Sequence, residues 1–218
     1  MTLIDLLTPP REEQAPGRIY GVVIGIVTNN QDPDGLGRVK VTFPWLSEED
    51  ESEWARVATL MAGPDRGTFF LPEVDDEVLV AFEHGDVRRP YILGALWNGV
   101  DTPPRDNGDG NNDERVITSR SGHELIFNDN DQQPKVEIHT QGGHIILLDD
   151  SSGQEKITIQ DKTGSNKIEF DSAQNAISIA AQMQITIEGQ MIDIKSGANI
   201  TIEAGAILTL KGSMVMIN

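Results

Sequence analysis

Pairs of apolar residues separated by a single residue recur through the second half of the chain, at steps of 8, 7, 8, 8 and 7. Two residues at i and i+2 lie on one face of an extended strand, whereas they point to different sides of a helix. The segments between pairs hold turn-compatible residues, above all Gly189, Gly197, Gly205 and Gly212. The pattern therefore predicts short strands, here called rungs, with one apolar and one polar face. The pairs are Ile177 and Ile179, Ile185 and Ile187, Ile192 and Ile194, Ile200 and Ile202, Leu208 and Leu210, and finally Val215 and Ile217.

The same pairing continues towards the N-terminus at longer steps, with larger and more charged turns between the pairs. An internal repeat of this kind determines the architecture before any motif does. About eleven rungs are expected between residue 123 and the C-terminus. The upstream pairs are Leu125 and Phe127, Val136 and Ile138, Ile145 and Leu147, Ile157 and Ile159, and Ile168 and Phe170.

The rungs pose a burial problem, because two apolar side chains per rung cannot be covered by such a short stretch of the same chain. If three chains wind together, each rung supplies one wall of a prism, and the apolar pairs meet on its central axis. Eleven rungs spaced by about 4.7 Å would form a shaft of roughly 50 Å. The sequence therefore predicts an intertwined trimeric triangular β-helix, or prism, whose trimer core holds the ten paired residues from Ile177 to Leu210. A single-chain β-solenoid is the structural alternative, and it predicts a monomer.

The first half of the chain has a different pattern, with longer apolar strands separated by turns such as Asp32-Pro33-Asp34-Gly35. Five strands in about 80 residues suit a small closed barrel of the OB type. We therefore expect an all-β protein with a flexible leader at 1–16, an OB barrel at 17–100, a linker at 101–113 and the trimeric shaft at 114–218. The five predicted strands are 18–29, 37–43, 53–61, 76–83 and 90–97.

The composition of the chain argues against several classes of function. The net charge of −18 argues against a nucleic-acid-binding surface. The chain has no cysteine, which fits assembly in a reducing cytoplasm. The N-terminal run MTLIDLLTPP lacks the basic start and the apolar length of a signal peptide, and no apolar stretch is long enough to span a membrane as a helix.

Three groups of polar residues are candidates for chemistry, and each has a simpler structural explanation. The acidic run from Glu48 to Glu53 has no partnering histidine and is expected to be a solvated loop. The linker aspartates do not match a calcium-binding loop, and the histidines of the early rungs lack zinc-ligand spacing, although threefold symmetry could gather copies of one of them on an axis. No catalytic motif is present. We expect no enzymatic activity, no cofactor and no metal. The linker and rung residues concerned are Asp106, Asp109, Asp113, His123, His139 and His144.

Several segments together resemble the VgrG and gpV-type central spike proteins of contractile phage tails and related injection systems. They are GRVKVTFPW (37–45), EWARVAT (53–59), LPEVDDEVLVAFEHGDVRRPYILGALWNG (71–99), RSGHELIFND (120–129) and IHTQGGHIILLDD (138–150). Asp75 departs from the family, which often has glycine there, and the lysozyme-like insert of some relatives is missing. The resemblance implies a homotrimer, mounted by its barrel on a separate baseplate hub protein, that punctures a target envelope as part of a virion or tail-like particle.

The chain stops on Met214-Val215-Met216-Ile217-Asn218, which would form a blunt, apolar end in a trimer. Related spikes that carry their own metal-bound apex have a His-x-His pair, which this chain lacks. The resemblance then implies a separate PAAR-type tip protein docked on residues 208–218. The alternative function is a secreted, single-chain β-solenoid that acts on or adheres to carbohydrate, which the five-stranded barrel disfavours.

Overall fold

The computed structural model describes residues 17–217, apart from the side chains of Glu48 and Glu49. The predicted leader at 1–16 and the last residue, Asn218, lie outside the described residues. The chain divides into two compact units after Asp106. The described residues form strands and one 3-10 turn, Glu83–Gly85, and include no helix long and apolar enough to cross a membrane.

The first unit contains eight strands: β1 Val23–Asn29, β2 Lys40–Phe43, β3 Ser47–Glu51, β4 Arg56–Val57, β5 Ala62–Gly63, β6 Arg66–Gly67, β7 Glu77–Phe82 and β8 Pro90–Ala95. Six of them form a sheet in the order β3-β2-β1-β7-β8-β4, and β5 and β6 form a separate hairpin. Neighbouring strands of the sheet are antiparallel except β4 and β8, which are parallel. Val39 and Ala55 exchange backbone hydrogen bonds of 3.0 and 2.7 Å, which joins the start of β2 to the start of β4 and closes the sheet on itself. The predicted OB barrel is confirmed.

The barrel core follows from strict alternation along its strands, since every second residue of β2 and β7 is buried. Gly25 lets two strands approach closely, because a Cβ there would lie 3.2 Å from Val80 Cγ2 and 3.3 Å from Val41. The core side chains are Val27, Val39, Val41, Phe43, Ala55, Val78, Val80, Phe82 and Ile92.

Three features of the barrel differ from the prediction. The acidic run, expected to be a loop, contains β3. This strand is rich in charged residues and lies at an edge of the sheet, where it pairs only with β2. Charges suit a sheet edge because they discourage pairing with other chains. The predicted strand 53–61 is wrong over most of its length, since only Arg56–Val57 form a strand. The hairpin that follows was not predicted.

Asp32 organises the turn between β1 and β2. Its carboxylate accepts backbone N–H groups from Asp34, Leu36 and Arg38 at 3.1–3.2 Å, and the Arg38 guanidinium at 2.6 and 2.8 Å. The Arg38 side chain, and then the backbone donors, hold the pKa of Asp32 well below its ordinary value despite the opposing effect of burial.

The turn before β7 departs from ordinary backbone geometry, because Asp75 adopts a φ of 78°. That backbone region favours glycine, the residue expected at this position from the family resemblance.

Replacing Asp32 by asparagine should lower the stability of the barrel at pH 7. A depressed folded-state pKa contributes stability that is complete above the unfolded value, 3.8, and is lost as the pH falls through the folded value. The difference in thermal unfolding temperature between wild type and Asp32→Asn should therefore be constant above about pH 5 and should shrink below pH 4. A difference that did not change between pH 7 and pH 2.5 would contradict the assigned ion pair.

The second unit contains an antiparallel meander of seven strands in sequential order, here called the meander sheet. Hydrogen-bonded turns connect the strands, and five of them hold a residue at positive φ: Gly122, Gly143, Gly153, Gly164 and Asn175. The strands are β9 Glu114–Thr118, β10 Glu124–Asn128, β11 Lys135–His139, β12 Ile145–Asp149, β13 Lys156–Gln160, β14 Lys167–Asp171 and β15 Ala176–Ala180.

Residues 181–217, here called the octad segment, contain no assigned strand, although the repeat predicts rungs there. The backbone bends at 182–183, 190, 197–198, 205–206 and 213, which are steps of seven to eight residues. The repeat is therefore present in the path of the chain. What is missing within a single chain is a neighbouring strand to hydrogen-bond.

Candidate assembly surface

The register of the meander sheet gathers apolar side chains on one face. Leu125 lies opposite Ile138, Ile138 opposite Ile146, and the same pairing continues across β13, β14 and β15. Residues that face each other across an antiparallel pair point to the same side of the sheet. This apolar face carries Ile117, Leu125, Phe127, Val136, Ile138, Ile146, Leu148, Ile157, Ile159, Ile168, Phe170, Ile177 and Ile179.

The burial of the two faces is inverted relative to an ordinary sheet. The central row of the opposite face includes Ile126, Glu137 and Thr158, which are only 7%, 8% and 5% exposed. On the apolar face, by contrast, Ile146 and Ile168 are 38% exposed and Ile177 is 67% exposed. Sheets normally bury their apolar face, and contiguous exposed apolar surface of this kind marks an interaction site. The apolar face is the candidate assembly surface of the protein.

The upstream pairs were predicted correctly in four strands and wrongly in one. In β12 the residues on the apolar face are Ile146 and Leu148, and the predicted pair Ile145 and Leu147 lies on the opposite face. Four consecutive apolar residues, Ile-Ile-Leu-Leu, offer two alternating pairs, so the pattern alone cannot choose between them. The turn Thr140–His144 sets the register against β11 and decides it.

Charged residues on the opposite face compensate each other. Glu137 forms an ion pair with Lys135 and a hydrogen bond with His139, its neighbours on the same face of β11. Burial opposes ionisation of Glu137, but the hydrogen bonds from Lys135 and His139 outweigh it, so the pKa of Glu137 lies below its ordinary value. Glu137 therefore stays ionised on this face although it is largely buried.

The ten predicted trimer-core residues all keep 50–70% of their surface exposed in the single chain. Within the octad segment the first member of each pair is less exposed than the second, for example Ile192 at 50% and Ile194 at 70%. At the distal end, Met214, Val215, Met216 and Ile217 are all exposed, and Asn218 lies outside the described residues. The core and tip-docking assignments remain predictions.

The barrel carries a second exposed apolar cluster that the sequence interpretation missed. Leu36, Leu60, Met61, Phe69 and Phe70 are all exposed, and they surround the β5–β6 hairpin. The run Thr68-Phe69-Phe70-Leu71 was the available signal, since two adjacent aromatic residues cannot both point into one side of a strand.

The polar residues considered for chemistry are occupied in other ways. His139 pairs with Glu137, and His123 Nδ1 accepts the Gln141 backbone N–H at 3.2 Å. In the linker, the Asp109 carboxylate accepts the backbone and side-chain N–H groups of Asn111. Within residues 17–217, no three histidines or carboxylates are grouped in a way that could hold a metal ion.

A closed OB barrel joined to a sheet with an uncovered apolar face defines an all-β assembly protein. Residues 23–97 match the type VI secretion system/phage-baseplate injector OB domain, and residues 135–199 match the phage baseplate V C-terminal trimerisation domain. Together these matches cover well over half of the chain. The chain belongs to the family of baseplate protein V and VgrG spike proteins.

Individual relatives point the same way. The chain is 32% identical over 141 residues to the type VI secretion system spike protein VgrG3 of Vibrio cholerae, covering 61% of this chain and 14% of that protein. It is 39% identical over 87 residues to the spike protein VgrG1a of Pseudomonas aeruginosa, covering 38% of this chain and 14% of that protein. A third relative, the actin cross-linking toxin VgrG1 of Vibrio cholerae, is 34% identical over 100 residues, covering 44% of this chain and 9% of that protein. The chain thus spans only a small part of the curated relatives that it matches.

Proposed function

We propose that this protein is the homotrimeric central spike of a contractile phage tail or related injection particle, a structural and non-enzymatic part that punctures the target envelope. The observation that carries the proposal is the inverted burial of the meander sheet, whose apolar face stays exposed while polar residues behind it are covered. Membership of a family with a trimerisation domain supplies the partner, which is two further copies of this chain.

The octad segment supports three chains in particular. A chain that turns a corner every seven or eight residues returns to the same wall of a triangular prism after three segments. On that wall, one strand from each of the two partner chains would lie between successive strands of the same chain. Each chain would therefore rise by three strand spacings, about 14 Å, per circuit. Every backbone group would then have a neighbour above and below, and the prism would have no lateral sheet edge. Such a shaft stays rigid when it is pushed.

A single-chain β-solenoid that binds carbohydrate fits these observations poorly. Its successive coils would have to hydrogen-bond to one another, whereas residues 181–217 form no ladder within the chain. The family matches also cover both halves of the chain.

The barrel would mount the spike on a separate baseplate hub protein. The exposed cluster around the β5–β6 hairpin supports this part of the proposal, because adjacent exposed aromatic residues such as Phe69 and Phe70 are typical of binding surfaces. We place assembly in the cytoplasm, with the finished spike forming part of a virion or tail-like particle.

Light scattering on the purified full chain tests the proposal. The expected mass is three times the 23.9 kDa of the chain. A monomer with a complete β-sheet circular dichroism spectrum would overturn the trimeric spike and would restore the solenoid alternative.

The distal end should recruit a PAAR-type tip protein. Removing residues 212–218 should abolish capture of the tip protein in a pull-down while leaving the trimer intact, because the four exposed apolar residues from Met214 to Ile217 are lost. Substitution of the barrel residue Phe69 by serine is the matched control and should leave tip capture unchanged. Undiminished capture by the truncated trimer would contradict docking at this end.

A further inference from the structure

The turns of the meander sheet fall into two sets, because consecutive strands run in opposite directions. The turns after β10, β12 and β14 lie at one lateral margin of the sheet, and the turns after β9, β11 and β13 lie at the other. The first set comprises residues 129–134, 150–155 and 172–175, and the second set comprises residues 119–123, 140–144 and 161–166.

The two margins differ in charge. The first set of turns contains four carboxylates and no lysine or arginine, a net charge of −4, and is here called the acidic margin. The second set contains Arg120 and Lys162 against one carboxylate, Asp161, a net charge of +1, and is here called the basic margin. It also holds His123 and His144, which add positive charge when they are protonated. The carboxylates of the acidic margin are Asp129, Asp131, Asp150 and Glu155.

The strand ends beside the turns do not cancel this difference. At the acidic margin they add three carboxylates and two lysines, and at the basic margin they add one carboxylate, one lysine and one histidine. The turns therefore determine the charge of each margin. The strand-end residues are Glu114, Asp149, Asp171, Lys135 and Lys156 at the acidic margin, and Glu124, Lys167 and His139 at the basic margin.

Part of this charge has no partner within the chain. The side chains of Asp131, Asp150 and Lys162 are exposed, and they form no hydrogen bond or ion pair with any other residue of the described range 17–217. Asp129, in contrast, already forms an ion pair with Arg115 at 2.7 Å. Charges at both margins are therefore available to a neighbouring molecule.

A single chain cannot bring its own margins together. Each strand of the meander sheet has five residues, so about 17 Å of extended backbone separates the two margins. That distance exceeds the Debye length, which is about 10 Å at 0.1 M salt, so opposite charges at the two margins are largely screened from each other within one chain.

Threefold rotation brings unlike margins together. In a ring of three sheets around an axis along the stacked strands, the acidic margin of each sheet faces the basic margin of the next, because the contacts of a cyclic trimer join two different patches of the subunit. The chain carries a net charge of −18, so three copies repel one another overall. Unlike margins would offset part of that repulsion where two walls meet.

We propose that the acidic margin of each chain lies against the basic margin of the next copy, and that their opposite charges hold adjacent walls of the prism together. This inference rests on the proposed trimer and adds a lateral contact that the apolar face does not provide. The partner is a second copy of this chain, selected by charge.

Charge substitution at both margins tests the contact. Gln141→Glu with Lys162→Glu changes the turns of the basic margin from a net charge of +1 to −2, so that they repel the acidic margin. Asp131→Lys with Asp150→Lys, added to the same chain, brings the turns of the acidic margin from −4 to 0 and removes that repulsion. Light scattering during heating, at one chain concentration and about 0.1 M salt, measures the temperature at which the trimer mass is lost.

The matched control adds Asp50→Lys with Glu53→Lys to the basic-margin variant, which is the same change of charge placed on the barrel. We expect the basic-margin variant to lose its trimer at a lower temperature than wild type. The four-substitution margin variant should regain most of that loss and the control should not. At about 1 M salt the Debye length is about 3 Å, and the recovery should disappear. A basic-margin variant as stable as wild type, or a recovery no larger than that of the control, would overturn the contact and leave the trimeric spike in place. A monomeric wild type would overturn the spike itself.

Carbodiimide cross-linking of the wild-type protein tests the same contact without any substitution, because this reagent joins a lysine amine to a carboxylate beside it. Mass spectrometry of the two-chain band should find Lys162 joined to Asp131, Asp150 or Glu155. Within one chain these groups lie at opposite margins, so such a link reports contact between copies. Trimers whose products contain no link between the two margins would overturn the proposal.

Discussion

Ile187→Asp should prevent a stable trimer from forming. In the proposed prism three copies of this side chain meet near one axis, and three carboxylates would be brought together in an apolar core. Each unpaired buried charge costs several kcal/mol, and the three would also repel one another. Light scattering should show monomers, and thermal unfolding should lose the transition of the shaft while the transition of the barrel remains.

Thr186→Asp is the control for this substitution, since it adds the same charge one residue away, on the polar face of the rung. It should leave the trimer mass unchanged and lower the unfolding temperature only slightly. Equal losses from the two substitutions would mean that residues 185–188 do not have an inner and an outer face.

Ile146→Asp should have a comparable effect in the meander sheet. Ile146 stands between Ile138 and Ile159 on the apolar face, so an aspartate would put a charge at the centre of the candidate assembly surface. The loss would include roughly 1.5–3 kcal/mol of apolar burial for each copy, before the cost of the charge is counted. Ile145→Asp is the matched control, because Ile145 lies on the opposite face between His139 and Gln160.

The trimer mass of each variant and its unfolding temperature measure the difference. We expect monomers or aggregates for Ile146→Asp and a weakened but complete trimer for Ile145→Asp. If Ile145→Asp proved the more damaging of the two, the buried face of β12 would be the one that carries Ile145 and Leu147, as the sequence pattern predicts. The register of β12 in the assembled protein would then differ from its register in the single chain.

These two positions also show how far the sequence could predict the structure. The periodicity of apolar pairs correctly predicted the β-architecture and four of the five upstream faces. In β11, β13 and β14 a polar residue stands between the two apolar ones, and in β10 Ile126 is flanked on its own face by Glu124 and Asn128, so one face is clearly the more apolar. In β12 that condition fails, since Ile145, Ile146, Leu147 and Leu148 are all apolar. The choice there depends on the length of a turn, which is a property of backbone geometry.

The barrel shows a second limit of the pattern. Long alternating strands such as Glu77–Phe82 were predicted almost to the residue. The acidic β3 was missed because its pairing depends on the neighbouring β2 and not on its own composition. The β5–β6 hairpin was missed because two-residue strands leave no periodicity to detect.

In the proposed trimer, pairing within the chain ends near residue 181 and pairing between chains follows, which has a consequence for the order of events during synthesis. A ribosome completes the strands of the meander sheet before it makes the octad segment, and those strands can pair while the rest of the chain is still being translated. In that trimer the octad segment would gain its neighbours only when three chains meet, so its formation would depend steeply on their concentration. Any copy left over from this encounter carries a long, unpaired tail that a protease can cut, whereas the same tail in a completed shaft is protected. Limited proteolysis would therefore remove orphan chains and spare finished spikes.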